Sequence, residues 1–166
     1  YVNLQNSDAA AQYLNKILAI EPNNNDAKTA LNSLKQGKEG KDLDMAISLY
    51  ENKKYNESLS LLNKILATNP KNPYVYYYKG MILEENKNVN GAIEEYKKGI
   101  AADNKFSLLY YNLAVALDNK EQYNEAVSYY EKYLALKNGT EDDYTKYVNS
   151  RLKELKDYLK EQIGQK

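Results

Sequence analysis

A chain of 166 residues with 23 basic and 23 acidic side chains carries no formal net charge, lacks Cys, His and Trp, and has 18 tyrosines. Without Cys or His, the usual structural zinc sites, thiol nucleophiles, His general bases and His-containing triads are unavailable, so no metal or cofactor is expected. The balanced charge and the single arginine, Arg151, argue against a nucleic-acid partner, whose phosphates call for a basic face. No apolar run approaches the roughly 20 residues that span a bilayer.

No signal peptide is visible, and the lack of Cys is compatible with any compartment, so the compartment is left open with the cytoplasm as default. The start at Tyr1, without Met and partway through a repeat, points to a fragment of a longer chain from which a targeting segment would be missing. Residues 8–20 read as the second helix of a helix pair whose first helix is absent. The sign is a near copy: Leu14-Asn15-Lys16-Ile17-Leu18-Ala19 and Pro22 reappear 48 positions later as Leu62-Asn63-Lys64-Ile65-Leu66-Ala67 and Pro70. Residues 26–36, behind the turn Asn23-Asn24-Asn25, place Ala27, Ala30, Leu31 and Leu34 at helical spacing and predict an extra helix. Gly37 and Gly40 flank a charged hinge at 37–41 that should end this helix. The extra helix is expected to cap the N-terminal fragment, residues 1–36. Alternatives are a first helix with an irregular loop, and exchange of 1–36 with a neighbouring molecule.

From residue 39 onward the pattern repeats every 34 positions, over 39–72, 73–106 and 107–140. Ala46, Gly80 and Ala114 correspond, as do Ser58, Ala92 and Ala126, and Leu62, Tyr96 and Tyr130. The first two sets must be small for paired helices to lie close together; the third fills the next turn of the buried stripe. Asn56, Asn90 and Asn124 are placed to cap the second helices. Asn72-Pro73 has the form of a helix start, with Asn as the cap and Pro in the first turn. On these residues the chain resembles the tetratricopeptide repeat, a helix-turn-helix unit that stacks into a superhelix. The resemblance implies an all-α fold, a right-handed superhelical solenoid of antiparallel helix pairs, with three units across 42–140.

Asn138-Gly139 should break the last second helix, with Thr140 as a cap and Asp143 three residues later in a capping-box arrangement. Residues 141–163 then form a C-terminal capping helix, its stripe made of Tyr144, Val148, Leu152, Leu155 and Leu159. Tyr158, Leu159 and Ile163 lie on an overhanging end that reads as a frayed tail, with docking of a partner or a second copy as the alternative.

Function in such a fold belongs to the concave face, lined mainly by first helices. Relatives that bind acidic chaperone C-termini of the EEVD type carry Lys and Asn there. The matching positions in this chain are Leu43 and Ile47, Tyr77 and Met81, Tyr111 and Val115, so that partner is disfavoured. With Tyr50, Tyr74 and Leu108 these residues form an apolar and phenolic strip, edged by Glu84, Glu85, Asp118 and Asn119. The expected function is a non-catalytic protein-interaction module binding a peptide or helix with apolar side chains, with Lys or Arg meeting the acidic edge. The competing reading packs the tyrosine run 74–78 between units, with Tyr76 and Tyr110 assigned to the core in either case. An alternative function is a self-assembling scaffold, a homo-oligomer joined through the N-terminal fragment or the C-terminal helix. No enzyme is expected: Glu84 with Glu85 and Asp142 with Asp143 read as solvated surface and a helix start.

Overall fold

The computed structural model describes residues 4–164, which form eight α-helices and no strand: α1 Leu4–Ile20, α2 Asn25–Glu51, α3 Tyr55–Thr68, α4 Pro73–Glu85, α5 Val89–Ala102, α6 Ser107–Asn119, α7 Tyr123–Lys137 and α8 Asp143–Gly164. Each helix packs on its neighbour in sequence, and α2 also reaches α4. This is the all-α solenoid of helix pairs that the repeat implied. Among the described residues, no helix is long and apolar enough to cross a membrane.

Small side chains set how closely the pairs nest. Ala46, Ala92, Ala114 and Ala126 are fully buried, and so are Leu62, Tyr96 and Tyr130. The Ser58 hydroxyl donates to the Ala46 carbonyl at 2.8 Å, so the small residue on one helix is also a direct link to the other. Gly80 is the tightest contact: a Cβ built there would stand 2.1 Å from Cε1 of Tyr96. The second helix of each unit then adds a phenol or an aliphatic chain, and burying one such side chain stabilises by about 1.5–3 kcal/mol.

The turns inside the units repeat as well. Lys53, Lys87 and Glu121 have φ of 60°, 63° and 60°, a left-handed conformation at a spacing of 34. Each is followed by the bond that closes the helix end, from the amides of Lys54, Asn88 and Gln122 to the carbonyls of Leu49, Leu83 and Leu117. This sharp reversal corrects the expected caps. The second helices begin at Tyr55, Val89 and Tyr123, which puts Asn56, Asn90 and Asn124 inside the first turn. Only α5 has a side-chain cap among the three, and it is Asn88, accepting from the Gly91 amide at 3.0 Å. Asn90 instead accepts from the Lys120 ammonium of the next unit. Asn72 caps α4 as expected, accepting from the Tyr74 amide at 3.0 Å with Pro73 in the first turn.

The N-terminal region departs most from expectation. The hinge at 37–41 is absent: α2 runs unbroken through it for 27 residues, so the extra helix 26–36 and the first helix of the first unit are one element. At 1.5 Å per residue it is about 40 Å long. Its first half, which buries Ala27 and Leu31, belongs to the part of the fold where α1 packs; its second half buries Ala46 in the array. Gly37 and Gly40 are exposed, where a missing side chain leaves no gap, and glycine weakens a helix by about 1 kcal/mol without removing a hydrogen bond. Between them Glu39 accepts from the side-chain amides of Asn69 and Asn72 at 2.8 and 2.7 Å, tying the middle of α2 to the loop before α4.

At the other end, Asn138 and Gly139 terminate α7 with φ of 51° and 81°. The capping box on α8 lies two residues later than expected. Asp142 accepts from the Thr145 amide and Thr145 accepts from the Asp142 amide, both at 2.8 Å, because Lys137 also holds the Asp142 carboxylate at 2.7 Å. These bonds, the one to Lys137 first, keep the Asp142 carboxyl below its usual pKa. Val148, Leu152 and Leu155 are buried as the stripe required, whereas Tyr144 is 52% exposed. Thr145, Val148 and Leu152 repeat the buried Tyr110, Leu113 and Leu117 at a spacing of 35, not 34. Tyr158 packs edge-on against Tyr123, Leu159 is half-buried, and the side chain of Ile163 lies outside the described residues.

Candidate functional site

The first helices of the three units, the second half of α2 with α4 and α6, share one face. On it Leu43, Ile47, Tyr50, Tyr77, Met81, Leu108, Tyr111 and Val115 are each partly exposed, and Tyr74 is 47% exposed. All nine residues of the strip thus retain accessible surface.

The tyrosines among them are not separate rings. Tyr55, Tyr50, Tyr78, Tyr77, Phe106 and Tyr74 form a chain of ring contacts with centroids 5.9, 5.6, 5.1, 6.0 and 4.6 Å apart. A second group surrounds Tyr111, with Tyr133, Tyr144 and Tyr147 at 5.5, 5.1 and 6.4 Å. Edge-to-face pairs of this kind contribute about 0.5–1.5 kcal/mol beyond burial. Burial raises the pKa of Tyr77 and Tyr111, and a hydrogen-bonding contact with Asn112 offsets part of the rise at Tyr77. The phenols therefore remain protonated donors.

Tyr55, Tyr78, Phe106, Tyr144 and Tyr147 join the strip without having been assigned to it from sequence. Neither 34 nor 35 as a ruler places Tyr144 and Tyr147 on the strip positions of α6, since 35 sets them on Leu109 and Asn112, so no repeat signal pointed to them. Tyr76 and Tyr110, assigned to the core, divide. Tyr110 is buried and donates to the Asn104 carbonyl at 3.1 Å; Tyr76 is only half-buried and donates to the equivalent Pro70 carbonyl at 2.8 Å. Both brace the loop that precedes their own helix.

The acidic edge also divides. Glu84 is half-buried and accepts from the Tyr96 hydroxyl at 2.6 Å; burial raises its pKa even though that bond opposes the rise. Asp118 does not stand at an open edge. It is 8% exposed and held by both arms of Arg151, with Nε and Nη2 at 2.8 Å from its two oxygens, while Tyr130 donates to it at 3.3 Å. The paired guanidinium makes that burial tolerable. Glu85 and Asn119 remain exposed. Among the described residues no group of three or more Asp or Glu is disposed to hold a metal ion.

Two family models for the tetratricopeptide repeat match the sequence, one over residues 43–105 and the other over 1–24 and 108–140. The chain belongs to the tetratricopeptide repeat (TPR) family. Solved TPR structures share its fold at low identity. The Sgt2 TPR domain from Aspergillus fumigatus matches with TM-score 0.64 and 20% identity over 75% of this chain and 81% of that one. The type III secretion translocator chaperone SycD of Yersinia enterocolitica matches with TM-score 0.66 and 18% identity, covering 74% and 93%. The first TPR of Spaghetti (RPAP3), bound to the HSP90 peptide SRMEEVD, matches with TM-score 0.64 and 17% identity, covering 74% and 94%. No curated protein matches the sequence.

Proposed function

We propose that this TPR array is a non-catalytic interaction module that receives a peptide or helical segment bearing apolar side chains along the face of α2, α4 and α6. The observation that carries the reading is the chain of tyrosine contacts along partly exposed first-helix residues. Rigid phenols offer large contact area at low entropic cost, and each hydroxyl orients a ligand. An acidic terminal peptide of the kind bound to Spaghetti is disfavoured here, because the six positions that would carry Lys and Asn are apolar or aromatic.

Selection from a displayed library of random peptides supplies binders, and fluorescence anisotropy of the best one tests the site. The variants are Tyr74→Ser with Tyr144→Ser, chosen because both rings are about half exposed. Affinity should fall about tenfold or more, as for central aromatic contacts, while the thermal melt stays close to the parent. Unchanged affinity would place binding elsewhere and sink the reading. A second reading, self-assembly, draws on α1, where Tyr13 and Ile20 are 68% and 82% exposed. Light scattering over a concentration series decides it, since a monomer throughout removes self-assembly.

A further inference from the structure

The two ends of the face differ in chemistry. At the α6 and α8 end the rings of Tyr111, Tyr144 and Tyr147 stand together. At the other end Tyr50 of α2, Tyr55 at the start of α3 and Tyr78 of α4 meet at 5.9 and 5.6 Å, and carboxylates join them. The Tyr55 hydroxyl donates to Oε2 of Glu85 at 3.3 Å, which fixes that carboxylate at the ring edges with its remaining lone pairs open. Glu51 directly follows Tyr50 at the end of α2. Burial first, and then the charge of Glu85, raises the pKa of Tyr50; burial first, and then that of Glu51, raises the pKa of Tyr78.

Both carboxylates are exposed, and neither forms an ion pair among the described residues, although Lys53 and Lys87 stand in the adjoining turns. Their position is unfavourable by itself. Glu51 and Glu85 are the last residues of α2 and α4, where the helix dipole is negative and a cation would be the stabilising choice. At the spacing of 34 Glu51 and Glu85 correspond to each other and to Asn119, so the acid at this position is confined to the first two units.

We propose that the α2 and α4 end of the face recognises a lysine or arginine of the bound segment, held over the Tyr50, Tyr55 and Tyr78 rings and against Glu85 and Glu51, while the α6 and α8 end takes a bulky apolar side chain. The charge is complementary, and ring faces beside a carboxylate attract a cation more strongly than either group alone. The partner is thus an amphipathic peptide segment with a basic residue toward one end and an apolar anchor toward the other, which also sets its direction along the face. This inference rests on the proposed function.

The test uses the same displayed random-peptide library. Selected peptides should carry Lys or Arg at a fixed spacing from a large apolar residue. Replacing that cation by Gln should weaken anisotropy-measured binding about tenfold in the parent and not further in a Glu51→Gln, Glu85→Gln variant, a coupling that a purely structural effect would not produce. Gln at 85 keeps an acceptor for Tyr55, and circular dichroism checks that the variant folds. Binders with no preferred cation, or a cation whose loss is additive with the Gln substitutions, overturn the proposal. If such binders still weaken with Tyr74→Ser and Tyr144→Ser, the peptide-binding face stands and only the cation site falls. Binders indifferent to both sets of variants, or no binders at all, overturn both.

Discussion

Gly80→Ala isolates the contact on which helix pairing depends. The added Cβ would meet Cε1 of Tyr96 at 2.1 Å and Cδ1 and Cζ at 2.6 Å. The ring has no room to retreat, because Tyr96 is fully buried and its hydroxyl is bound to Glu84 at 2.6 Å. Overpacking of this kind costs about 1–3 kcal/mol, whereas exchanging glycine for alanine in a helix returns about 1 kcal/mol. The net expectation is a loss of up to about 2 kcal/mol, read from urea unfolding followed by far-UV circular dichroism. Gly37→Ala is the control, since Gly37 is also helical but a Cβ there would meet nothing within 4 Å, so this variant should gain about 0.5–1 kcal/mol. The preceding unit pairs Ala46 with Leu62. Tyr96→Leu should therefore cost less in the Gly80→Ala background than in the parent, a coupling expected for residues in contact. Gly80→Ala unfolding at or above the parent midpoint, in step with Gly37→Ala, would refute the assigned packing.

Further outcomes follow from single contacts. Lys87→Gly relieves a left-handed residue that costs about 1–2 kcal/mol and gives back part of that as glycine's greater freedom in the unfolded chain, so the unfolding free energy from urea titration should rise by less than about 1 kcal/mol. Arg151→Leu leaves the buried Asp118 with only Tyr130 as a side-chain partner; allowing for the partial exposure of Arg151, it should cost about 2 kcal/mol and speed hydrogen exchange across α8. Glu84 tests pH dependence. Burial raises its folded pKa above 4.5, so its contribution to stability is fully present below that value and is lost as pH rises through the folded pKa. Glu84→Gln, which keeps an acceptor for Tyr96, should therefore stabilise at about pH 7 and give no gain below about pH 4 in paired urea titrations.

The helix pairs were legible because their cause is periodic. A small residue every 34 positions, with a large one four places after the small residue of the second helix, is a burial pattern, and burial pattern is what a linear sequence records. Asn72-Pro73 was legible for a related reason, since a cap followed by proline is a local event. The nine residues of the strip could be named because first-helix positions recur with the repeat, and each retains exposed surface.

What only the tertiary structure decided depends on groups far apart in sequence. Two glycines predict a break at 37–41 by local propensity, yet α2 continues because packing at both ends and the bonds from Asn69 and Asn72 to Glu39 outweigh about 1 kcal/mol per glycine. Asp118 reads as an open edge until α8, 33 residues on, brings Arg151 to it. Tyr144 and Tyr147 enter the strip only through their ring contacts with Tyr111, 33 and 36 residues earlier in the chain. Sequence alone established the small and large residues buried within the three helix pairs; the exposure of Tyr76 and Tyr144, the continuity of α2, the partners of the buried charges and the full extent of the tyrosine strip arose from long-range contacts that no local pattern encodes.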